Sequence, residues 1–525
     1  MNHRSIMAAV LLPLSLLLAA GCAPKSSSTP PPAQSGPQVG VYVNSSDVVI
    51  FWDPSDSFSN EIIAMHNLYE TLLRYNPATD KFEPILAESY AHSTDAKTWT
   101  FTLRKGVKFH GSNKEMTAED VKKSIERTMT RGKGAAFIWD AVDKIEVKDP
   151  TTVVFHLKYA APLDLIAASS YGAFVYDVDY AESKGGETWF GQGNDAGTGP
   201  YTVESWKKGE DLVLNKFDGY RKGWAGKHFD KVVFKAVTEP ATRQQVVNAG
   251  EADFVNMMPY DMLKGYENQP ELAVRNAKSF ENLFALINTK KITNPKVREA
   301  LALAFPYDAA VNSVAQGYAT QSRGIVPDGM WGHAASVPQR KTDTARAIAL
   351  MAEAGAKDLK VTITYSSGDD AQRQIVELWV AELKKIGVTA EPKGMTWEAQ
   401  LDLGKAKDPG QRQDIFLMYW WPDVTTPHSW HQSMFHSEKD VSFNLGYYSN
   451  PAYDAIIDDA VKLAGTDRAK AAARYAEADQ LLYNDAVAIP IYDIQYARVV
   501  KKSLKGYVDN PSYPHVVFWY DVYRE

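Results

Sequence analysis

Strand-like and helix-like segments alternate along almost all of this 525-residue chain, and this alternation restricts its fold more than any other feature. At 97–104, bulky apolar residues alternate with threonines, which is typical of a strand with one buried face. At 117–129, Thr117 and Asp120 form a capping box at the start of a helical pattern. Interleaved strands and helices predict an α/β fold built in layers.

Further segments continue this pattern along the chain. The other strands predicted from apolar patterning are 152–157, 211–215, 231–237, 360–365, 414–419 and 488–494. The other predicted helices are 294–304, 343–354, 371–386 and 467–485. Gly355 and Gly387 directly follow the last periodic residue of two of these helices, which is the expected position of a C-terminal glycine.

The composition excludes several classes of protein. Charged residues make up 23% of the chain, and 13 Trp, 27 Tyr and 20 Phe supply material for packed cores, so intrinsic disorder is excluded. The net charge is −7 and no long basic run occurs, which argues against a nucleic-acid partner. The length predicts roughly two to four domains.

The chain has one cysteine, Cys22. A single thiol excludes a disulfide scaffold and a metal site made of several thiolates. Arg4 and the apolar stretch 6–20 precede it as in an export signal. The sequence LAAGC at 18–22 resembles the cleavage box of bacterial lipoproteins. That resemblance implies a lipoprotein signal peptide over 1–22 and a lipid on Cys22; the alternative is a plain secretory signal with an incidental cysteine.

The segment 23–38 is rich in proline and serine, which predicts a disordered tether. No second apolar run approaches the roughly 20 residues needed to span a bilayer. The sequence therefore predicts a soluble body in the periplasm or at the cell surface, attached to the lipid bilayer through Cys22.

A long ordered set of motifs carries a family resemblance. AESY at 87–90 is followed by TWTFTLRKGVKFHG at 98–111 and MTAEDV at 116–121. Together they closely resemble the signature of the large peptide-type (family 5) solute-binding proteins, the extracellular receptors of bacterial ABC importers for oligopeptides, dipeptides and nickel. The resemblance covers about residues 40–525. Further matches in family order are GTGPY at 197–201, AGEAD at 249–253, NPKVREAL at 294–301, LKKIGV at 383–388 and YSNPAYD at 448–454.

The resemblance implies an α/β, two-lobed periplasmic-binding-protein fold that closes on its ligand like a clam shell, with an extra subdomain inserted in the first lobe. Crossings between the lobes are expected near 286–294 and 492–499. The implied boundaries are 39–78, 198–286 and 496–525 for lobe I, 79–197 for the inserted subdomain and 287–495 for lobe II.

The resemblance also implies a function. The chain is expected to be an extracytoplasmic binding protein, acting as a monomer, that captures di- to oligopeptides and delivers them to an ABC permease in the membrane. No cofactor is implied. The same fold also holds oligosaccharides and metal chelates, so these small-molecule ligands remain alternatives, as does a ligand-free interaction lipoprotein. A ligand that contacts both lobes is expected to favour the closed state.

The most informative site motif lies at the end of a predicted strand. In peptide-binding members of the family this strand ends in Trp-x-x-Asp-x-x-x-Pro, and the aspartate meets the α-ammonium of the ligand. Here Trp420, Asp423 and Pro427 match that spacing. Once water is excluded, a carboxylate facing an ammonium forms a strong charge-assisted bond. The alternative is that Asp423 caps the following turn beside core tryptophans.

Other aromatic residues are candidates for ligand contact. Trp397 matches a second pocket tryptophan of the family, with core packing as the alternative. Tyr419 and Trp421 flank Trp420 and should face away from it by strand alternation. Either Trp420 or the pair Tyr419 and Trp421 could therefore pack in the core instead of contacting ligand. The adjacent Trp420 and Trp421 depart from the peptide-binding pattern, which leaves stacking on a sugar open.

The remaining candidates are basic residues. Arg323 and Arg373 lie in regions that approach ligand in the family, so each is a candidate partner for a ligand carboxylate. His428, His431 and His436 lie close together in sequence, but without a cysteine or a suitably spaced carboxylate they support no metal site. Surface or core histidines are the favoured interpretation.

Motifs of the common enzyme classes are missing from the sequence. It contains no Gly-x-Ser-x-Gly elbow, Walker loop or His-Glu-x-x-His helix. With Cys22 assigned to lipid, no cysteine is left as a nucleophile. The sequence therefore predicts a binding protein rather than an enzyme.

Overall fold

The computed structural model describes residues 36–79 and 81–525. The predicted signal peptide 1–22 with its Cys22, and residues 23–35 of the predicted tether, lie outside the described residues. Within the described ranges, no helix has both the length and the apolar character needed to cross a membrane. The unit presented below spans Gln38–Glu525.

A mixed sheet of eleven strands runs through this unit. Val39–Asn44 pairs in parallel with both of its neighbours, and so does Leu359–Ser366. The other neighbouring strands pair antiparallel. Ala319–Gln321 pairs with Ala488–Lys501 outside the main order. In spatial order the other ten strands are Val388–Met395, Leu359–Ser366, Ile415–Trp420, Leu272–Ile287, Ala488–Lys501, Phe254–Val255, Val39–Asn44, Lys231–Ala236, Asp211–Lys216 and Tyr201–Lys207.

Two long antiparallel strands, Leu272–Ile287 and Ala488–Lys501, run through the middle of this sheet. Their register shifts just after Lys278. There the Ser279 hydroxyl donates to the Ile494 carbonyl and so replaces part of the regular ladder. An irregularity of this kind bends a strand and increases its twist.

The register shift separates the sheet into a first half, built around Val39–Asn44, and a second half, built around Ile415–Trp420. On Leu272–Ile287 the register shift lies before 286–294, the segment in which the first crossing between the lobes is expected. On Ala488–Lys501 the register shift falls within 492–499, the segment in which the second crossing is expected. The side chain that bonds across the strands at this shift is a serine, which carries no distinctive sequence signal of a crossing.

The segment 283–287 is a continuous apolar run because both faces of the sheet are covered there. Leu283, Ala285 and Ile287 belong to one buried core, and Phe284 and Leu286 belong to another. Strands buried on both sides lose the alternation of apolar and polar residues. The core therefore occupies both faces of the sheet close to the register shift.

A second, antiparallel sheet of four strands lies within 79–197. The helix Ala118–Arg131 packs against it with its buried face. The capping box predicted at its start is confirmed, since the Thr117 main-chain N–H donates to Asp120 Oδ2 at 2.9 Å. The strand order is Ala87–His92, Thr98–Leu103, Thr152–Leu157 and Val142–Asp149. Two short ladders pair Leu73–Asn76 with Lys81–Pro84 and Leu504–Lys505 with Tyr523–Arg524.

Helices cover the sheets, and every helix predicted from the sequence is confirmed with its ends within about two residues. The predicted strands are confirmed too, although the last one continues to Lys501 because it passes through both halves of the sheet. The α-helices are Ile62–Leu68, Ala118–Arg131, Leu163–Ile166, Val178–Lys184, Glu187–Phe190, Pro240–Asn248, Tyr260–Leu263, Pro295–Leu303, Thr344–Glu353, Asp370–Lys385, Trp397–Gly404, His428–Phe435, Pro451–Ala464 and Arg468–Asp485. Short 3₁₀ helices are Ala136–Trp139, Pro409–Gln411 and Trp519–Asp521, and Ala309–Val314 is π-helical.

Candidate functional site

Adjacent cavities lie where the two halves of the sheet meet. The central cavity has a volume of about 80 Å³ and is lined by Asn44 and Asn256 from the first half and by Ser366 and Tyr419 from the second. A cavity of about 30 Å³, here called the Asp423 cavity, shares four wall residues with it. A third cavity, of about 40 Å³, shares five wall residues with the central cavity. Together these three cavities form a cleft.

A wider cavity of about 530 Å³ adjoins the cleft and shares Phe58 and Phe443 with the Asp423 cavity. Ser433 also lines this wider space, and its hydroxyl donates to Asp423 Oδ2 at 3.1 Å. Room for a larger ligand therefore continues beyond Asp423.

The strand Ile415–Trp420 ends at the cleft, and its last two residues point to opposite sides. Tyr419 lines the central cavity. Trp420 is buried against Phe58 and Phe443, with ring-centroid distances of 5.9 and 5.3 Å, and forms part of the wall of the Asp423 cavity. Tyr419 and Trp420 pack against different cores, as strand alternation predicts. The same prediction is wrong for Trp421, which packs against the core that contains Trp420, because the strand ends at Trp420.

Trp397 and Trp421 both line the central cavity. The Trp397 indole N–H donates to Ser59 Oγ at 2.9 Å, and the Trp421 indole N–H donates to the Tyr171 hydroxyl at 2.9 Å. Because each polar atom of these rings already has a partner, the rings offer carbon surface to the cavity.

Asp423 lies in the turn after this strand and is only 2% exposed. Its Oδ1 accepts from the Val424 N–H at 2.7 Å and its Oδ2 from the Ser433 hydroxyl. Among the residues described, no Lys, Arg or His pairs with this carboxylate, and burial raises the pKa of Asp423 to about 6. Asp423 lines the cavity named after it and does not reach the wall of the central cavity.

Three charged or titratable residues of the central cavity lie outside every motif of the sequence: Glu281, Asp369 and His515. His515 Nε2 lies 3.0 Å from Glu281 Oε2. Asp369 Oδ1 accepts from the Gln372 N–H at the start of a helix. Burial raises the pKa of Asp369, although that N–H and the nearby Tyr419 hydroxyl oppose the shift. One signal was available: Asp369 follows a predicted strand and precedes a predicted helix, and ligands of α/β sheets commonly bind at such strand ends.

Arg243 is a fourth residue that the sequence did not reveal. It is fully buried, and its guanidinium donates to the main-chain carbonyls of Val237, Thr238 and Met257 and, across the cleft, to that of Gly368. Burial lowers the pKa of Arg243 to about 10. This side chain fixes the loops that carry two walls of the cleft.

The structure does not bring Arg323 or Arg373 to the cleft. Arg323 donates to main-chain carbonyls, including that of Val337 at 2.9 Å. Arg373 pairs with Asp370 and Glu377 on its own helix. Neither arginine lines the three cavities of the cleft.

The three histidines lie in or next to the helix His428–Phe435. His431 is buried, with its Nδ1 2.9 Å from the Tyr453 hydroxyl and its ring stacked on Tyr475. Burial lowers the pKa of His431 to about 3. Within the described part of the chain, no group of three or more His, Cys, Asp and Glu side chains could hold a metal ion.

The two sides of the cleft contact each other. Lys208 Nζ lies 3.1 Å from Glu398 Oε1, and the Thr425 hydroxyl donates to Ser512 Oγ at 2.9 Å. The Asp423 carbonyl accepts from the main-chain N–H of Ser170 at 2.8 Å. Apolar packing adds to these polar contacts, since the Phe58 ring lies 5.9 Å from Trp420 and 5.0 Å from Phe443.

Comparison with known proteins places this geometry in a family. Residues 81–442 match the model described as "Bacterial extracellular solute-binding proteins, family 5 Middle". The "Probable D,D-dipeptide-binding periplasmic protein DdpA" of Escherichia coli (strain K12) is 28% identical over 468 residues, which cover 87% of this chain and 89% of that protein.

Solved structures share the fold. The ABC transporter-associated periplasmic binding protein DppA from Helicobacter pylori, in complex with peptide STSA, matches with a TM-score of 0.83 and 24% identity over 93% of this chain and 98% of that chain. The oligopeptide-binding protein AppA from Bacillus subtilis, in complex with a nonapeptide, matches with a TM-score of 0.83 and 20% identity over 93% of this chain and 100% of that chain.

These matches establish the two-lobed α/β fold expected from the sequence. They also exclude a catalytic assignment, because the family consists of binding proteins for transport. The chain belongs to the bacterial extracellular solute-binding proteins of family 5.

Proposed function

We propose that this protein is the extracytoplasmic substrate-binding component of an ABC importer, that it captures peptides in the cleft, and that it delivers them to a membrane permease. The observation that carries the proposal is the buried Asp423 carboxylate, which has no cationic partner among the described residues and faces a cavity with aromatic walls. The peptide ligands of the structurally similar proteins from H. pylori and B. subtilis support the same ligand class.

In this proposal Asp423 binds the α-ammonium of the peptide. A buried carboxylate without a counter-ion is unfavourable, and an ammonium in the same water-excluded space offsets that cost. Its oxygens accept hydrogen bonds from Val424 and Ser433, and the Ser429 hydroxyl also favours the ionised form. A carboxylate has about four acceptor positions, so a position remains for the ligand. Trp420 and Phe443 would pack against the first residue of the peptide.

The proposal includes the lobe boundaries transferred from the family: 39–78, 198–286 and 496–525 for lobe I, with the inserted subdomain at 79–197 and lobe II at 287–495. The irregularity at Ser279 in the long strands supports a hinge there. A ligand that contacts both halves would stabilise the closed form by as much as its affinity differs between the two states.

Native mass spectrometry of protein produced without residues 1–38 tests the ligand class. We expect the purified protein to release a set of di- to pentapeptide masses when it is denatured. An oligosaccharide is the second candidate, because Trp397, Tyr419 and Trp421 all line the central cavity and sugars stack on such rings. Masses spaced by one hexose would contradict the peptide assignment and support the sugar.

We also propose that residues 1–22 are a lipoprotein signal, that Cys22 carries the lipid, that 23–38 is a tether, and that the protein acts as a monomer. The support is the LAAGC sequence at 18–22. We expect wild-type protein expressed in a bacterial host to partition into detergent and Cys22→Ser protein to remain in the aqueous phase. Equal partitioning of the two proteins would contradict the anchor, and light scattering checks the monomer.

A further inference from the structure

The wall of the central cavity has an unusual charge balance. It carries two carboxylates, Glu281 and Asp369, and no Lys or Arg. Both carboxylates are buried, with exposed fractions of 1% for Glu281 and 7% for Asp369. In the part of the chain that the structure describes, the other titratable groups on this wall are the Tyr419 hydroxyl and the His515 imidazole.

Among the described residues, three of the four oxygens of these carboxylates have no hydrogen-bond partner: Oε1 and Oε2 of Glu281 and Oδ2 of Asp369. His515 approaches only Oε2 of Glu281. Arg243 lies close enough to affect Asp369 electrostatically, but its N–H groups donate to main-chain carbonyls. Two buried carboxylates with unfilled acceptor positions are unfavourable unless a cation enters the cavity.

Aromatic rings from three side chains complete the same wall: Trp397, Tyr419 and Trp421. Carboxylates combined with aromatic carbon surface suit an organic cation, which gains from both the negative charge and the ring quadrupole. A metal ion needs several such ligands close together, and the described residues include no group of three or more His, Cys, Asp and Glu side chains that could hold one. A volume of about 80 Å³ holds several water molecules at roughly 10–15 Å³ each, and hence the end of a long side chain.

We infer that the central cavity is a subsite for the ammonium or guanidinium group of a basic side chain, held between Glu281 and Asp369. The inference rests on the proposed function, and it identifies the substrates as peptides that carry a basic side chain. The peptide would present two cationic groups: its α-ammonium at Asp423, and a Lys or Arg side chain in the adjacent central cavity, which shares Trp397 and Trp421 with the Asp423 cavity.

Calorimetric titration of the full chain, stripped of retained ligand, with three pairs of tripeptides tests this. Every tripeptide contains two alanines. The two members of a pair differ only in having Lys or norleucine at the remaining position, which is the first, second or third position in the three pairs. Norleucine has the same carbon chain without the ammonium, so the pair isolates the charge. We expect Lys to bind at least about tenfold more tightly than norleucine at one position.

The variants Glu281→Gln and Asp369→Asn should each bring that Lys preference close to unity. The readout is the ratio of the Lys and norleucine affinities measured on the same protein, so a change in overall affinity does not affect it. Glutamine matches glutamate in shape, and asparagine can still cap the helix Asp370–Lys385, so either variant suffices if the other does not fold. Asp479→Asn is the matched control, because Asp479 is a buried aspartate in a separate cavity. The Asp479→Asn protein should keep the full preference for Lys over norleucine.

The outcomes separate the two claims. If tripeptides bind without any preference for Lys, or if the preference survives both variants, the subsite is wrong and the peptide function stands. If no tripeptide binds but agmatine, a free guanidinium compound, binds the wild type and not Glu281→Gln, the subsite stands and the peptide function is wrong. If neither tripeptides nor agmatine bind, both claims are overturned.

Discussion

Replacing Asp423 by Asn is expected to weaken the binding of an unblocked tripeptide by about 100-fold or more, which corresponds to about 3 kcal/mol. Asparagine can still accept from the Val424 N–H and pair with the Ser433 hydroxyl, so the turn keeps its geometry. What it loses is the charge that an ammonium needs in a water-excluded cavity. The measurement is the dissociation constant by calorimetry.

The pH dependence of binding provides a second readout of this prediction. Burial raises the pKa of Asp423 to about 6 in the ligand-free protein, and a bound ammonium favours the ionised form. Peptide affinity should therefore be constant from about this pH up to about pH 7.5, where the α-ammonium of the peptide begins to lose its proton, and fall by up to about tenfold per unit below pH 6. The Asp423→Asn protein should lack this decline.

Without ligand, the contribution of Asp423 to the free energy of unfolding should increase as the pH falls, whereas peptide affinity decreases. The folded pKa of Asp423 lies above its ordinary value of 3.8, so folding favours the protonated carboxyl. The contribution of this group to stability then rises as the pH falls from about 6 towards 4.

Asp479→Asn is the control for Asp423→Asn. Burial raises the pKa of Asp479 to about 7, and its Oδ1 accepts from the Ile325 N–H at 3.0 Å. The two aspartates are therefore similar in burial and charge, but Asp479 lines a cavity that is not part of the cleft. Equal loss of affinity in both variants would contradict a specific ammonium site at Asp423.

The second prediction concerns Arg243, which holds the walls of the cleft in place. We expect Arg243→Met to lower the free energy of unfolding by about 3 kcal/mol, because several buried main-chain carbonyls lose a charged donor. Removing the desolvated guanidinium returns part of this energy, which keeps the loss below the sum of the lost hydrogen bonds. Denaturant unfolding of the ligand-free protein measures the change.

Arg243 also has a local effect on the cleft. Met257, whose carbonyl accepts from Arg243, has a φ of 55° and lines the central cavity. A left-handed conformation at methionine is strained and persists only when neighbouring groups hold it. We therefore expect Arg243→Met to weaken peptide binding as well, through the position of Met257.

Arg373→Met is the matched control for Arg243→Met. Arg373 is 43% exposed as a side chain and pairs with Asp370 and Glu377 on one helix. Surface pairs of this kind contribute about 0.5 kcal/mol each or less. An Arg243→Met protein no less stable than Arg373→Met would show that the four carbonyl contacts of Arg243 contribute nothing net.

Sequence patterns were sufficient for the secondary structure because the relevant interactions are local. The helix Ala118–Arg131 could be predicted from the reciprocal capping of Thr117 and Asp120, two residues only three positions apart. The opposite orientation of Tyr419 and Trp420 followed in the same way from strand geometry. Neither required knowledge of distant contacts.

The cleft required long-range contacts and could be predicted only in part. The family motif led to Asp423 and to the aromatic residues next to it. Asp369 and Asn44, however, are more than 300 positions apart and meet only through the sheet order. Glu281 was hidden because it precedes an apolar run, and its inward orientation depends on the register shift at Ser279.

The basic candidates illustrate the same limit. Arg373 lies in a helix where acidic residues three positions before it and four after it bind its guanidinium. Arg243 lies in a short helix with no motif, and its role depends on carbonyls from four separate positions. A sequence shows which residues are basic, but it does not show which carbonyls or carboxylates will surround them.

The most direct test of the central claim is a calorimetric comparison of trialanine with N-acetyl-trialanine on wild-type protein. Acetylation removes the α-ammonium and leaves the rest of the peptide unchanged. If Asp423 binds that ammonium, the acetylated peptide should bind about 100-fold more weakly, and Asp423→Asn should abolish the difference. Equal affinities for the two peptides on the wild type would contradict the claim.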